Sequence, residues 1–430
     1  MIFARILAIV TALAVPSGAF QLNLEQRKLN AASFEYAWNK IRENMWAPMP
    51  PGIDWQAVHD ELKPKAEAAK TMHQARAVLQ DMIDRLKLTH FNIVPGDVYD
   101  GLDANTSNRG EGGAPGFDLR LVQGEALVVS VSPGSPAEAA GVRPGWRLTR
   151  ADGEEIARLT GKLESALRDS TFKELSITRA VMGKLSGSAG SKVPAEFLNG
   201  ANRAVKLDLQ LTQARGETSK IGFLPSQHVW IESKKVGNTG YVRFNMFLDP
   251  PRISTGFSKA VESCMQCDGF IVDLRGNPGG IGGMSMGMAG WFVDRQGVRL
   301  GTMKMKDNEL KFAIFPRSET FHGRLAILVD ALTASTSEIF AGGLKDIGRA
   351  RIFGTRTAGA ALPSVFEKLP NGDGFQYAIA NYVSEGGQPL EGIGVAPDEE
   401  VKLTRKALLA GRDTVLDAAL AWIHGEGAQK

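Results

Sequence analysis

The sequence predicts a multidomain α/β protein. Three observations predict it: the length, a change of hydrophobic period along the chain, and two short apolar runs that each end in a turn of small residues. At 430 residues the chain exceeds one ordinary core, so two or three domains are expected. Apolar residues make up 43% and charged residues 23%, the balance of a soluble globular protein. The net charge of +3 comes from interspersed charges of both signs with no basic run, which argues against a nucleic-acid partner.

Residues 1–20 read as a signal peptide. Arg5 supplies the positive start, Ile6 to Val15 is the apolar run, and Pro16-Ser17-Gly18-Ala19 offers small residues for cleavage. A permanent anchor needs about 18 to 20 consecutive apolar residues. The expectation is therefore export, to a bacterial periplasm or outside the cell, with no stable membrane span after cleavage. Residues 21–100 follow as a helical bundle ending in a strand. Phe34, Ala37, Trp38 and Ile41 share one helical face, and Ala75, Val78, Leu79, Met82, Ile83 and Leu86 share another. Pro48, Pro50, Pro51 and Gly52 break the first helix from the second, which Asp54 can cap, and Thr89 to Val94 turns to strand-like alternation.

Residues 101–115 have linker composition, and 112–215 read as a domain of short strands with a mobile Gly/Ser/Lys-rich loop at 183–192. From 222 to 410, strand-length apolar runs at Gly240–Phe244, Gly269–Leu274, Leu325–Val329 and Ala350–Phe353 alternate with helical stretches near 254–266, 284–293 and 335–345. That alternation predicts an α/β core, with 411–430 as a C-terminal helix and tail. The only cysteines, Cys264 and Cys267, follow a helical pattern instead of opening a helix. A local disulfide or a pair of buried thiols is expected there, not a redox centre or a zinc site.

Two segments carry chemistry. In the first, Leu325 to Asp330 runs as a buried strand into Thr333-Ala334-Ser335-Thr336-Ser337-Glu338 and then a helix. A hydroxyl at such a helix N-terminus serves either as an N-cap or as a nucleophile beside free N–H groups. In the second, Gly269 to Leu274 ends in Arg275-Gly276-Asn277-Pro278-Gly279-Gly280, a loop suited to close backbone approach by a ligand. It lacks the spacing of a dinucleotide or phosphate loop.

Together these motifs resemble the catalytic domain of the C-terminal-processing (tail-specific) serine peptidases and the related tricorn core protease. The resemblance spans about residues 30 to 405. It implies Ser337 as nucleophile, with an oxyanion hole made by the backbone N–H of Glu338 and that of Gly279 or Gly280. Many members use a lysine in a G-x-x-T-x-G-K motif, but here Gly354-Thr355-Arg356-Thr357-Ala358-Gly359 is followed by Ala360. The base must then come from elsewhere. Leu88-Thr89-His90 resembles the His element of tricorn-like members, which implies His90 as base, oriented by Thr89. Leu390-Glu391-Gly392-Ile393-Gly394-Val395 resembles their late acidic stretch, which implies Glu391 as the end of the relay. Gly116-Phe117-Asp118-Leu119, with the Ser135–Gly145 turn, resembles a bacterial PDZ domain. Gly116, Phe117, Asp118 and Leu119 would receive the C-terminus of a peptide or protein substrate added to a sheet edge. No metal or cofactor is implied. The function expected is that of an exported serine endopeptidase. A non-catalytic carrier on the same scaffold is the alternative, and an esterase of small acyl substrates is a further rival.

Overall fold

The computed structural model describes residues 21–96, 112–168 and 170–425. The signal-peptide reading and most of the linker reading lie outside these residues.

Helices α1 (Leu24–Asn44), α2 (Trp55–Ala68) and α3 (Met72–Asp84) form the N-terminal bundle. Asp54 caps α2 by accepting from the Gln56 and Ala57 amides, both at 3.0 Å. The bundle does not close its own core. Phe34, Trp38, Leu62 and Leu79 pack with Leu362, Leu369, Phe375 and Tyr377 from far along the chain. Strand β1 (Asn92–Val94) then pairs antiparallel with Gly374–Ala378, with Asn92 opposite Gln376. This pairing carries the adjacent His90 into the C-terminal half of the molecule.

The second domain is a sheet in which β2 (Phe117–Val122) forms one edge beside β3 (Glu125–Val131). Beyond them lie β4 (Arg147–Ala151), β5 (Lys192–Leu198) and β6 (Ala204–Gln210), with helices α4 (Ile156–Ala166) and α5 (Lys173–Gly183) between β4 and β5 in the chain. The stretch 183–192 is fastened, not the mobile loop its composition predicts. Gly187 and Ser188 pair with Gly113 and Gly112, Leu185 is buried, and the Gly190 N–H donates to Leu211 O at 2.8 Å.

The third domain is the predicted α/β core. Strands β7 (Ile231–Val236), β8 (Thr239–Phe244), β9 (Gly269–Asp273), β10 (Arg324–Val329), β11 (Arg351–Gly354) and β12 (Glu399–Glu400) lie in that order, and every pair after the first is parallel. Every residue of β9 is buried, as a central parallel strand requires. Helices α6 (Pro250–Glu262), α7 (Gly282–Ala289) and α8 (Thr336–Asp346) enclose one face around Phe257, Phe292 and Phe340. The C-terminal helix α9 (Thr414–Ile423) covers the other with Val415, Ala419 and Ile423. Helix α6 begins four residues before the expected 254, because Asp249 caps it and Pro250 fits the first turn. Cys264 and Cys267 form a disulfide just after α6.

Candidate active site

The predicted strand–turn–helix is present, with β10 leading through Asp330–Ser335 into α8. Within the hydroxyl run, Thr333, Thr336 and Ser337 are buried and Ser335 alone retains solvent access. The Ser337 hydroxyl donates to Asn277 Oδ1 at 2.9 Å and is fully enclosed. This corrects the expectation that Ser337 is the presented alcohol: three residues into a packed helix its side chain points at the protein interior. Ser335 sits at φ 56° and ψ −123°, a sharp turn that a non-glycine residue adopts at a cost of about 1–3 kcal/mol. Ser335 and Glu338 form a capping box at the start of α8, with the Glu338 carboxylate turned back to the Ser335 N–H.

Neighbouring groups hold the strain in place. The Ser335 N–H donates to Ala360 O at 2.8 Å and to Glu338 Oε2 at 3.0 Å. Glu338 is wholly buried and also accepts from Thr357 Oγ1, the Gly359 N–H and the Ala360 N–H, at 2.5, 2.8 and 3.0 Å. Burial pushes its carboxyl up to about 7, against those donors. Glu338 thus organises the turn through its side chain. Its backbone N–H is already given to Ser335 O at 2.8 Å, which removes it as an oxyanion donor.

The Gly-rich loop lies directly against Ser335. A Cβ on Gly279 would fall 2.6 Å from Ser335 Cβ and 2.8 Å from the Thr336 amide nitrogen, and φ there is 96°. Asn277 locks the loop: its Nδ2 donates to Phe244 O at 2.9 Å, and its Oδ1 also accepts the Gly279 N–H at 3.0 Å. Of the two glycines, then, Gly279 has its N–H engaged. The N–H groups of Gly280 and Thr336 take no acceptor among the described residues, and Thr336 Oγ1 ties the two segments by donating to Gly280 O at 2.8 Å. Two unspent amides beside an accessible alcohol can stabilise an oxyanion. Gly279→Ala is expected to destabilise the turn and to slow acylation of the site by about 100-fold or more, read as the labelling rate with a fluorophosphonate.

The residues expected to form the relay, Thr89, His90 and Glu391, meet from two distant parts of the chain. Glu391 accepts the Thr89 N–H at 2.9 Å, the Thr89 hydroxyl at 2.9 Å and the Ala361 N–H at 3.0 Å. Burial raises its carboxyl pKa, opposed by these donors. Thr89 Oγ1 lies 2.7 Å from His90 Nδ1. A hydroxyl that gives its one proton to a carboxylate must accept from its other partner, so the geometry assigns the ring proton to Nδ1 and leaves Nε2 as the basic nitrogen. His90 is half-buried. Desolvation first and the Arg179 charge second lower its pKa to about 4, so the ring is neutral at physiological pH.

One short segment joins the two halves. Ala360 O receives the Ser335 N–H, and the next residue, Ala361, gives its N–H to the Glu391 carboxylate. Ala360, which stands in the lysine place of the G-x-x-T-x-G-K motif, is buried. No hydrogen bond links His90 to Ser335 or to Ser337 among the described residues. Sequence reasoning missed Asn277, Ser335 and Thr357. Asn277 lies inside the quoted loop motif, so its polar side chain in an otherwise Gly/Pro turn was the available signal.

The third group of predicted residues lies on the second domain. Phe117 and Leu119 are buried in its core, while Asp118 accepts from Ser130 Oγ at 2.8 Å and pairs with Arg243 at 3.3 Å. Gly116 sits at φ 86°, where a Cβ would strike Ser135.

Fold and site together define an α/β protein built around a serine at a strained strand-to-helix turn. Residues 238–401 match the peptidase family S41 model and residues 27–84 match the tricorn protease C1 domain model. The S41 match takes in the α/β core and both of its chemistry-bearing segments. A probable CtpA-like serine protease of Staphylococcus aureus is 26% identical over 291 residues, which cover 66% of this chain and 51% of that protein. The chain therefore spans about half the length of this relative. Carboxyl-terminal-processing peptidase 3 of Arabidopsis thaliana, a chloroplastic protein, is 24% identical over 368 residues, covering 84% of this chain and 67% of that protein. Among solved structures, a photosystem II D1 C-terminal processing protease superposes with a TM-score of 0.59 at 23% identity, covering 91% of this chain and 96% of that one, a likeness of fold.

Proposed function

We propose that the chain is an exported serine endopeptidase whose nucleophile is Ser335. A single observation carries the reading: the one accessible hydroxyl of the turn stands at a strained φ beside two unengaged amides. In this mechanism Ser335 Oγ attacks the scissile carbonyl carbon as its proton passes to His90 Nε2. The Thr336 and Gly280 amides hold the oxyanion, and His90 returns the proton to the leaving amine as the C–N bond breaks. Water, deprotonated by the same ring, then releases the acyl group. Thr89 and Glu391 position the imidazole.

The second domain takes an extended peptide as an added strand on the free edge of β2, its chain end at the Gly116–Leu119 turn. Export rests on residues 1–20, and the Cys264–Cys267 disulfide suits an oxidising compartment. Fusing residues 1–30 to a reporter that is active only outside the cytoplasm tests it, and an inactive, fully expressed fusion refutes it.

The decisive experiment treats the protein with a fluorophosphonate and maps the adduct by mass spectrometry. Modification at Ser335 that is lost in His90→Ala is expected. An unreactive protein that hydrolyses no peptide would falsify the peptidase reading and leave the carrier.

A further inference from the structure

We infer that Arg179, a residue of the second domain, is a specificity-determining residue that binds a carboxylate of the substrate in the cleft over Ser335 and His90. The inference rests on the peptidase reading above.

Helix α5 has two working faces. Ile177, Ala180 and Val181 point into the core of its own domain. At 100° per residue, Phe172, Leu175 and Arg179 fall together on the opposite face. That face lies on the catalytic core. Leu175 is buried against Leu332, Ala334, Ala358 and Ala360, with Phe172 packed beside it. At the start of α5, Thr171 Oγ1 lies 2.8 Å from where a Cβ on Gly359 would stand. Ala334 and Ala360 are the residues that flank and bond Ser335. Arg179, one turn beyond Leu175, is thereby carried out over the serine turn.

The surroundings of Arg179 suit a ligand. Its side chain is exposed, and neighbouring protein depresses its guanidinium pKa by desolvation. Its charge is felt at His90, so the two side chains lie near one another. It has no ion-pair partner among the described residues, whereas Arg120, Arg243 and Arg275 nearby are each paired with an aspartate. A partly desolvated, unpaired guanidinium presents donors in a fork that matches a carboxylate bidentately. Two sources supply that chemistry, the α-carboxylate of a chain end and an Asp or Glu side chain near the scissile bond.

The test compares peptides that differ in one group: free acid against amide at the C-terminus, and Asp or Glu against Asn or Gln at each position flanking the cut. The wild-type protein should favour one carboxylate-bearing set by about tenfold or more in kcat/KM. In Arg179→Gln that ratio should collapse to within about twofold, with Arg179→Lys in between. Which set shows the effect identifies the source. The same fluorescent peptides bound to Ser335→Ala protein, with and without Arg179→Gln, give the discrimination as a ratio of Kd values that needs no turnover. Absence of any wild-type preference in binding, or a preference that survives Arg179→Gln, overturns the inference. Preferential binding by a protein that never labels or cleaves would instead overturn the peptidase reading and keep only the carboxylate contact of Arg179.

Discussion

Ser335→Ala is expected to lower kcat/KM for peptide hydrolysis by about 10⁴-fold or more, whereas Ser337→Ala should leave it within about tenfold of wild type. The two alcohols are two residues apart and differ in surroundings. Ser337 is one of two groups donating to Asn277 Oδ1, at 2.9 Å, and its removal leaves the Gly279 N–H still bonded there. The loss is one buried hydrogen bond, about 1 kcal/mol, seen as a small drop in thermal midpoint. Ser335 contributes nothing comparable to packing, and its removal relieves no contact that keeps Gly279 in place. A protein in which Ser337→Ala abolishes fluorophosphonate labelling, and Ser335→Ala does not, returns the nucleophile to the position its motif suggested.

That choice shows what a sequence can and cannot carry. The strand–turn–helix was legible because Leu325 to Val329 is an unbroken apolar run and the residues after Asp330 are small. The α/β core followed from the same alternation, and the relay partners Thr89, His90 and Glu391 came from matching motifs. What separates Ser335 from Ser337 is a single backbone torsion of 56°. That torsion is imposed by the Glu338 carboxylate and Ala360 O from outside the turn. No local propensity encodes it, since a serine left to itself avoids that torsion. The 183–192 stretch failed for a related reason. Its Gly and Ser composition reads as loose, and only the pairing with Gly112 and Gly113, some seventy-five residues earlier, fastens it. Likewise the N-terminal bundle reads as a domain by helical period, while its core is completed by Leu362, Phe375 and Tyr377. Long-range partners decided each of these.

Protonation logic gives the second large effect. Thr89 Oγ1 can accept from His90 Nδ1 only while it donates to Glu391, so the carboxylate fixes the tautomer through an intervening hydroxyl. In Glu391→Gln the one remaining amide oxygen cannot serve all three donors now bound by Glu391. When the new NH₂ turns to Thr89, the hydroxyl accepts from it and swings its own proton onto Nδ1, moving the ring proton to Nε2. A base that already carries its proton cannot take another from Ser335, and kcat/KM should fall by about 10³ to 10⁴, close to the effect of His90→Ala. The pH profile separates this from simple misfolding. A general base works when neutral, so activity should be retained above its pKa and lost as pH falls through it. With His90 lowered to about 4, the acid limb of the wild-type enzyme should lie below the ordinary imidazole value of 6.5. Removing the Arg179 charge lifts one of the two influences that lower the ring's pKa, so the limb in Arg179→Gln should move upward. A wild-type limb centred at 6.5 or above, unmoved by Arg179→Gln, would exclude the ring held by Thr89 as the group that accepts the serine proton.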